Sequence, residues 1–216
     1  MVPLQGSLTK QTMPAAAERI ARVDAALAPV WDRHGPPPLW KRPQTFATFV
    51  RIILEQQVSL SSARSTFERL VREAGGSVTA TSLGRLGEDG LRKIGFSRQK
   101  ARYAVALADD VGAGRFRIAT LRRLDDDGVR AAITGRLGLG QWSASVYLMM
   151  AMLRSDVIPH GDLALIKGLS ELDSGDYADV ERLIERTELW RPHRSVGVRM
   201  VWQAYLHRRG QRFVAT

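Results

Sequence analysis

The sequence predicts an all-α protein. Apolar residues recur at steps of three and four along most of the chain, and this spacing places them on one face of a helix. Segments in which apolar and polar residues alternate, as they do in a half-buried strand, are scarce. The chain has 216 residues, of which 44% are hydrophobic, so it can bury the core of one ordinary domain or of two small ones that share an interface.

Each helix is predicted from apolar spacing together with the residues that start or stop it. The first is expected from about Ala15 to His34, because the prolines at 36–38 would end it. Ser97 is typical of an N-cap for the helix that follows it. In chain order, the remaining helices are expected at about 45–57, 61–74, 82–94, 98–111, 125–135, 141–154, 163–169, 177–186 and 194–209.

The charge balance indicates a polyanionic partner. A formal net charge of +10 and a pI near 10.7 predict attraction to phosphates that weakens as salt rises. Arginine supplies most of the positive charge, and its planar guanidinium can bind a phosphate through two hydrogen bonds. Charge alone does not distinguish DNA from RNA or from an acidic membrane surface.

The composition excludes several kinds of site. The chain has no cysteine, which rules out disulfides, thiol catalysis, zinc–cysteine sites and a cysteine-ligated iron–sulfur cluster. No apolar run approaches the ~20 residues that cross a bilayer, and Met1–Gly6 lacks the basic and apolar regions of a secretory signal. We therefore expect a cytoplasmic protein with no membrane partner.

The most informative motif is Gly138-Leu139-Gly140, which precedes the helix expected from Gln141. Two glycines allow a tight turn, so backbone amides and the positive end of the helix dipole can converge on an anion. Asp162 follows in a Pro-His-Gly-Asp-Leu segment. Its simpler interpretation is an N-cap for the next helix. The glycine turn likewise has a purely structural interpretation.

In combination, these residues resemble the helix-hairpin-helix DNA glycosylase superfamily, in particular the DNA-3-methyladenine glycosylase II group, from about Lys41 to Arg209. The resemblance implies two helical lobes with an active-site cleft between them. One lobe would comprise residues 45–156. The other would combine residues 1–44 with residues 157–216 and carry the catalytic aspartate.

The resemblance also assigns residues to DNA binding. It implies that the amides of Gly138, Gly140 and Ser143 hold a DNA phosphate. The segment Glu55-Gln56-Gln57-Val58-Ser59 is similar to a family motif whose wedge residue enters the minor groove, and Gln57 stands at the wedge position. Backbone carbonyls of Thr134, Arg136 and Leu139 are the expected ligands of a Na⁺ or K⁺ ion. No other cofactor is implied. The basic segment 91–101 is interpreted as a solvated helix face without a catalytic role.

The catalytic assignment depends on two positions. Bifunctional relatives have a lysine nucleophile where this chain has Trp142, and an indole cannot form a Schiff base. The resemblance therefore implies a monofunctional enzyme in which Asp162 assists attack by water. Trp142, Trp202 and Leu163 are the expected pocket for a flipped, damaged base. Without the resemblance, Trp202 would be interpreted as a core residue.

The expected reaction is hydrolysis of the N-glycosidic bond of 3-methyladenine in double-stranded DNA, with 7-methylguanine as a second candidate. One alternative is excision of another lesion, such as a deaminated or mismatched base. Another is a non-catalytic DNA-binding module that keeps only the hairpin. The default oligomeric state is a monomer. His160 is not expected to take part in catalysis, and the histidines lack the spacing of a metal site.

Overall fold

A computed structural model describes residues 7–211, and this part of the chain is built from helices joined by turns, which confirms the all-α prediction. Its only strand-like feature is one isolated bridge between Ser7 and Arg154. The helices are α1 (Thr12–Val23), α2 (Ala28–His34), α3 (Phe46–Glu55), α4 (Leu60–Glu73), α5 (Ala80–Lys93), α6 (Arg98–Gly112), α7 (Asp126–Thr134), α8 (Gln141–Met150), α9 (Leu163–Asp173), α10 (Val180–Thr187) and α11 (Arg194–Arg208). Short 3₁₀ segments occupy Ile118–Arg123 and Glu188–Trp190. The Met1–Gly6 segment lies outside the described residues.

The first helix was expected to be continuous to His34, and this prediction is wrong. The chain leaves the helix at Asp24, whose backbone is extended. The buried Asp24 carboxylate accepts two hydrogen bonds from the Arg186 guanidinium and one from the Trp190 indole N–H. A buried carboxylate needs such donors, and an uninterrupted helix is incompatible with the observed backbone at this residue. The spacing of apolar residues could not reveal this polar network, because its members are far apart in the chain.

One compact unit is formed by Pro43–Tyr147. Its centre is α3, which has apolar residues on nearly every side and is buried along most of its length. The Phe49 ring stacks on the Tyr147 ring at 4.3 Å and meets the Phe116 ring edge-on at 5.3 Å. Helices start where the sequence offers side-chain caps, at Ser59, Thr79, Ser97 and Asp125.

The other compact unit comprises the described residues up to Arg42 and those from Leu148 onward. Helix α11 is almost wholly buried within it. Arg199 is fully buried there, and its guanidinium donates to the carbonyl oxygens of Ser195 and Met149. Burial lowers the pKa of Arg199 to about 10.

The Pro43–Tyr147 unit ends inside α8. The Arg199 guanidinium donates to the Met149 carbonyl oxygen in the last turn of this helix. The expected lobe boundary at Asp156 stays a prediction. Among the described helices, none is both long and apolar enough to cross a membrane.

Candidate active site

The glycine turn lies between α7 and α8, as the motif predicts. Gly138 has a φ of +78°, in the left-handed region that glycine adopts without strain. The carbonyl oxygen of Gly140 accepts the first helical hydrogen bond, from the amide of Ala144. Gly140 therefore has the position of an N-cap, and the amides of the first turn of α8 point out of the helix end without intrahelical acceptors. This geometry suits an anion at the turn.

Two side chains from other helices fix the shape of this turn. The Tyr103 ring of α6 lies against Gly138 so closely that a Cβ built on this glycine would overlap it. The side-chain nitrogen of Gln56 donates to the Gly138 carbonyl oxygen over 2.8 Å and to the Ser143 hydroxyl over 3.2 Å. The Ser143 hydroxyl is thereby held inside the protein, since Ser143 is buried. A contact between Ser143 and a phosphate would therefore be made by the Ser143 backbone amide.

Hydrogen bonds and ion pairs also brace the two arms of the hairpin. The Arg130 guanidinium of α7 donates to the Ser145 hydroxyl of α8 over 2.7 Å. Arg136, inside the turn, pairs with Asp110 at 3.0 Å. A hydrogen bond from Arg115, followed by that from Arg136, holds the pKa of Asp110 below its usual value despite some burial. The guanidinium of Arg136 thus has a structural partner, and binding of an anion at the turn would depend mainly on the backbone amides.

Gln57 lies at the exposed apex of the turn that joins α3 to α4. Its φ of +54° is left-handed, which is uncommon for a residue other than glycine. On one side, the Lys100 ammonium donates to the Leu54 carbonyl oxygen, in the last turn of α3, over 2.7 Å. On the other, the Ser59 hydroxyl caps α4 by accepting from the Ser62 amide. The turn is therefore held at both ends, and the wedge role of Gln57 remains a prediction.

In the other unit, Asp162 is the N-cap of α9. Its Oδ1 accepts a hydrogen bond from the Leu165 amide over 2.8 Å. The same oxygen accepts from the indole nitrogen of Trp202 over 3.0 Å. The interpretation of Asp162 as a cap is thus correct in part, yet the residue is only 8% exposed and its carboxylate also accepts a hydrogen bond from an aromatic side chain of α11. A cap alone does not require that second contact.

The segment that leads to Asp162 is fastened to the start of α11. Asp156 is buried and accepts two hydrogen bonds from the Arg194 guanidinium and one from Arg191. The Ser195 hydroxyl accepts from the Val157 amide and donates to the Val157 carbonyl oxygen. These hydrogen bonds fasten the segment before Asp162 to the start of α11, the helix that also carries Trp202.

Trp202 lies near a second tryptophan, Trp40, which the sequence interpretation missed. The Trp40 ring lies 6.3 Å from the Trp202 ring, at an interplanar angle of 43°. Trp202 is half-buried rather than part of the closed core, while Leu163 is 60% exposed beside the carboxylate. Trp190 is fully buried, as expected of a core residue. Trp40 stands after a proline run with no helical periodicity, which left no sequence signal for its position.

Trp142 is the second residue of α8 and is half-buried. It belongs to the Pro43–Tyr147 unit together with the four residues assigned to DNA binding, whereas Asp162, Leu163 and Trp202 belong to the other unit. Within the first unit, the structure brings together Gly138 and Ser143 through Gln56. Sequence reasoning gave Gln56 no role of its own, although it lies in the 55–59 motif. It missed Tyr103 entirely, because side-chain packing between helices leaves no local pattern.

The carbonyl groups expected to bind a monovalent cation lie in the same hairpin. The Arg136 carbonyl oxygen accepts a hydrogen bond from the Leu139 amide over 3.1 Å. A carbonyl oxygen has two lone pairs, so one such bond still permits a cation contact. Thr134 ends α7, where the last carbonyl oxygens of a helix lack intrahelical donors. Oxygen ligands of this kind fit Na⁺ or K⁺. In the described residues, no group of three or more acidic or histidine side chains could hold a metal ion.

Comparison with known proteins identifies similar chains. A protein of Bacillus subtilis provisionally named a DNA-3-methyladenine glycosylase is 23% identical over 189 residues, which cover 83% of this chain and 65% of the relative. A DNA-3-methyladenine glycosylase of Saccharomyces cerevisiae is 28% identical over 189 residues, covering 79% of this chain and 63% of the relative. The chain thus spans less than two thirds of the length of either.

A solved structure is similar over most of its length. The crystal structure of a DNA-3-methyladenine glycosidase from Bacillus halodurans superposes with a TM-score of 0.72 at 28% identity, covering 88% of both chains. Residues 50–192 match the family described as the HhH-GPD superfamily base excision DNA repair protein. This match includes the glycine turn and Asp162 but not Trp202. The chain belongs to the HhH-GPD superfamily of base excision DNA repair proteins.

Proposed function

We propose that this protein is a monofunctional DNA glycosylase that hydrolyses the N-glycosidic bond of alkylated purines, above all 3-methyladenine, in double-stranded DNA. The observation that carries the proposal is the buried Asp162 carboxylate, whose Oδ1 is held by the Leu165 amide and the Trp202 indole. The names of the similar proteins point to the same substrate.

The chemistry requires one well-placed carboxylate. As the bond between the deoxyribose C1′ and the base nitrogen breaks, the base leaves with the electron pair and positive charge develops on the sugar. The Asp162 carboxylate stabilises this charge and orients the water whose oxygen bonds to C1′. That water loses its proton to the Asp162 carboxylate, which passes it to solvent, and the products are the released base and an abasic site. An alkylated purine is already cationic, so its departure needs little help from an acid.

The aromatic residues select the substrate. A cationic, electron-poor ring stacks well on an indole face. Trp202 and Leu163 lie beside the carboxylate, and we assign Trp142 to the same base pocket from the family resemblance. Since Trp142 occupies the position of the lysine nucleophile of bifunctional relatives, we expect no strand cleavage and no covalent adduct.

The hairpin supplies the DNA-binding half of the activity. Backbone amides of Gly138, Gly140 and Ser143 bind one phosphate, and Gln57 fills the gap left by the flipped nucleotide. A Na⁺ or K⁺ ion on the carbonyls of Thr134, Arg136 and Leu139 would strengthen the phosphate site by adding positive charge. The protein acts as a monomer without any other cofactor.

The test is release of free bases from a panel of duplexes, resolved by chromatography. Duplexes would contain 3-methyladenine, 7-methylguanine, uracil, hypoxanthine or a mismatch. We expect release of methylated purines, uncleaved strands and no adduct after borohydride treatment. Release of only deaminated or mismatched bases would favour the second enzymatic assignment. Duplex binding without release of any base would favour a non-catalytic module, and a trapped adduct would contradict monofunctional chemistry.

A further inference from the structure

Beside the hairpin lies a basic pocket that the proposed function has not used. It has a volume of about 420 Å³ and is lined by five side chains from α5 and α6, namely Glu88, Arg98, Gln99, Arg102 and Tyr103. Most of its lining belongs to the first two turns of α6. The sequence interpretation treated the preceding basic segment as a solvated face, and the structure separates that segment into residues with different tasks.

Two basic side chains of this region already have contacts within the protein. Lys100 is engaged by the Leu54 carbonyl oxygen, and Arg92 lies near Asp89 at 3.8 Å. Arg98 and Arg102 are exposed, and within residues 7–211 neither has a carboxylate partner. They stand one helical turn apart on α6, so their side chains can reach the same ligand. Two unpaired guanidinium groups in one pocket favour a phosphate.

The Tyr103 ring places this pocket next to the hairpin. One part of the ring lines the pocket, and the ring also lies directly against Gly138. The Tyr103 hydroxyl accepts a hydrogen bond from the Gln99 side-chain nitrogen and keeps its own proton for another acceptor. A phosphate bound in the pocket would therefore share a wall with the phosphate site of the glycine turn.

We propose that Arg98 and Arg102 bind a second backbone phosphate of the DNA strand that the hairpin holds. This inference rests on the proposed function only in that DNA is the partner. The contact carries no base information, so it extends the non-specific footprint and fixes the register of the strand on the hairpin. The negative charge of Glu88 repels the phosphate, whereas the positive charges of Arg98 and Arg102 attract it. This repulsion limits the affinity for undamaged DNA.

The test is the salt dependence of binding to an undamaged duplex, measured by fluorescence anisotropy for the whole chain. Arg98→Gln/Arg102→Gln should reduce the slope of log K against log salt by about 1 and weaken binding on the order of fivefold to tenfold at 0.1 M salt. The matched control is Arg72→Gln/Arg123→Gln, which removes two exposed charges of the same unit outside the pocket. It should leave the slope near that of the wild type.

A variant that is expected to strengthen DNA binding provides a second test. Glu88→Gln should tighten binding about twofold to threefold, because it removes the only carboxylate that lines the pocket. All these side chains are exposed, so thermal unfolding should show the wild-type midpoint. A slope equal to that of the wild type in the double variant, or one no lower than in the control, would overturn the inference. Weaker binding by Glu88→Gln would also overturn it. If DNA binding is absent in the wild type, it is instead the proposed function that fails.

Discussion

The two compact units present their functional groups in opposite ways. In the Pro43–Tyr147 unit, the hairpin offers backbone amides, and the side chains around it serve to hold the turn in shape. In the other unit, the proposed catalytic group is a single side chain, Asp162, which is held by a backbone amide and an indole. Substitutions at the hairpin should therefore affect DNA binding through backbone geometry, whereas substitution of Asp162 should affect catalysis through its carboxylate.

The largest effect on the first unit is expected at Gly138. Gly138→Ala introduces a Cβ that overlaps the Tyr103 ring and forces a left-handed φ on alanine. We expect a loss of about 3 kcal/mol in the free energy of unfolding, measured with urea. DNA affinity should fall by more than tenfold. The matched variant is Gly140→Ala, where the added Cβ meets open space, and it should unfold like the wild type. Equal stability of the two variants would contradict this account of the turn.

Trp202 tests how the second unit holds its carboxylate. Trp202→Phe keeps an aromatic ring and removes the N–H that donates to Asp162. Loss of one hydrogen bond to a charged group, worth about 1.5–3 kcal/mol, should slow base release roughly tenfold to a hundredfold under single-turnover conditions, with unchanged DNA affinity. The control, Trp190→Phe, removes an indole bond to the buried Asp24 instead. This control variant should have a lower free energy of unfolding, and the single-turnover rate of base release by the folded protein should be unchanged.

The network around Asp173 predicts a pH effect on stability alone. Burial of Asp173 raises its pKa, but hydrogen bonds from Arg186, Tyr177 and the Gly175 amide outweigh burial and hold it below the usual 3.8. A lowered pKa in the folded state adds stability above the unfolded pKa, and this stability is lost as pH falls through the folded value. Asp173→Asn should therefore unfold more easily than the wild type at pH 7, by about 2 kcal/mol.

This difference should shrink steadily below about pH 4. The measurement is urea unfolding of both proteins between pH 2 and pH 7, each value set by buffer, with tryptophan fluorescence as the signal. A difference that does not depend on pH would show that Asp173 contributes through packing rather than through its charge.

The smallest effect is expected at Gln56, whose side chain connects the turn between α3 and α4 to the hairpin. Gln56→Ala removes its two hydrogen bonds, to the Gly138 carbonyl and the Ser143 hydroxyl. We expect DNA affinity to fall about threefold to tenfold, corresponding to roughly 1 kcal/mol. Ser143→Ala in the same background should add little, because the shared bond is already absent. Fully additive losses would mean that Gln56 does not act through Ser143.

The sequence predicted most of the helices and the position of the glycine turn between two of them, because each depends on local spacing or on a short motif. Asp162 was predicted both as a cap and as a catalytic residue, and the structure accounts for the first directly. The break of the first helix at Asp24 and the positions of Gln56, Tyr103 and Trp40 could not be predicted. They depend on contacts between residues that are far apart in the chain, such as the bond from Gln56 to Gly138.

The most direct test of the central claim is to compare wild type and Asp162→Asn on one duplex that contains 3-methyladenine. Asparagine still accepts the cap bond from Leu165, so the fold and the dissociation constant for DNA should be unchanged. We predict that the single-turnover rate of base release falls by about 10²–10⁴-fold. Equal rates for the two proteins would contradict the assignment of Asp162 as the catalytic carboxylate.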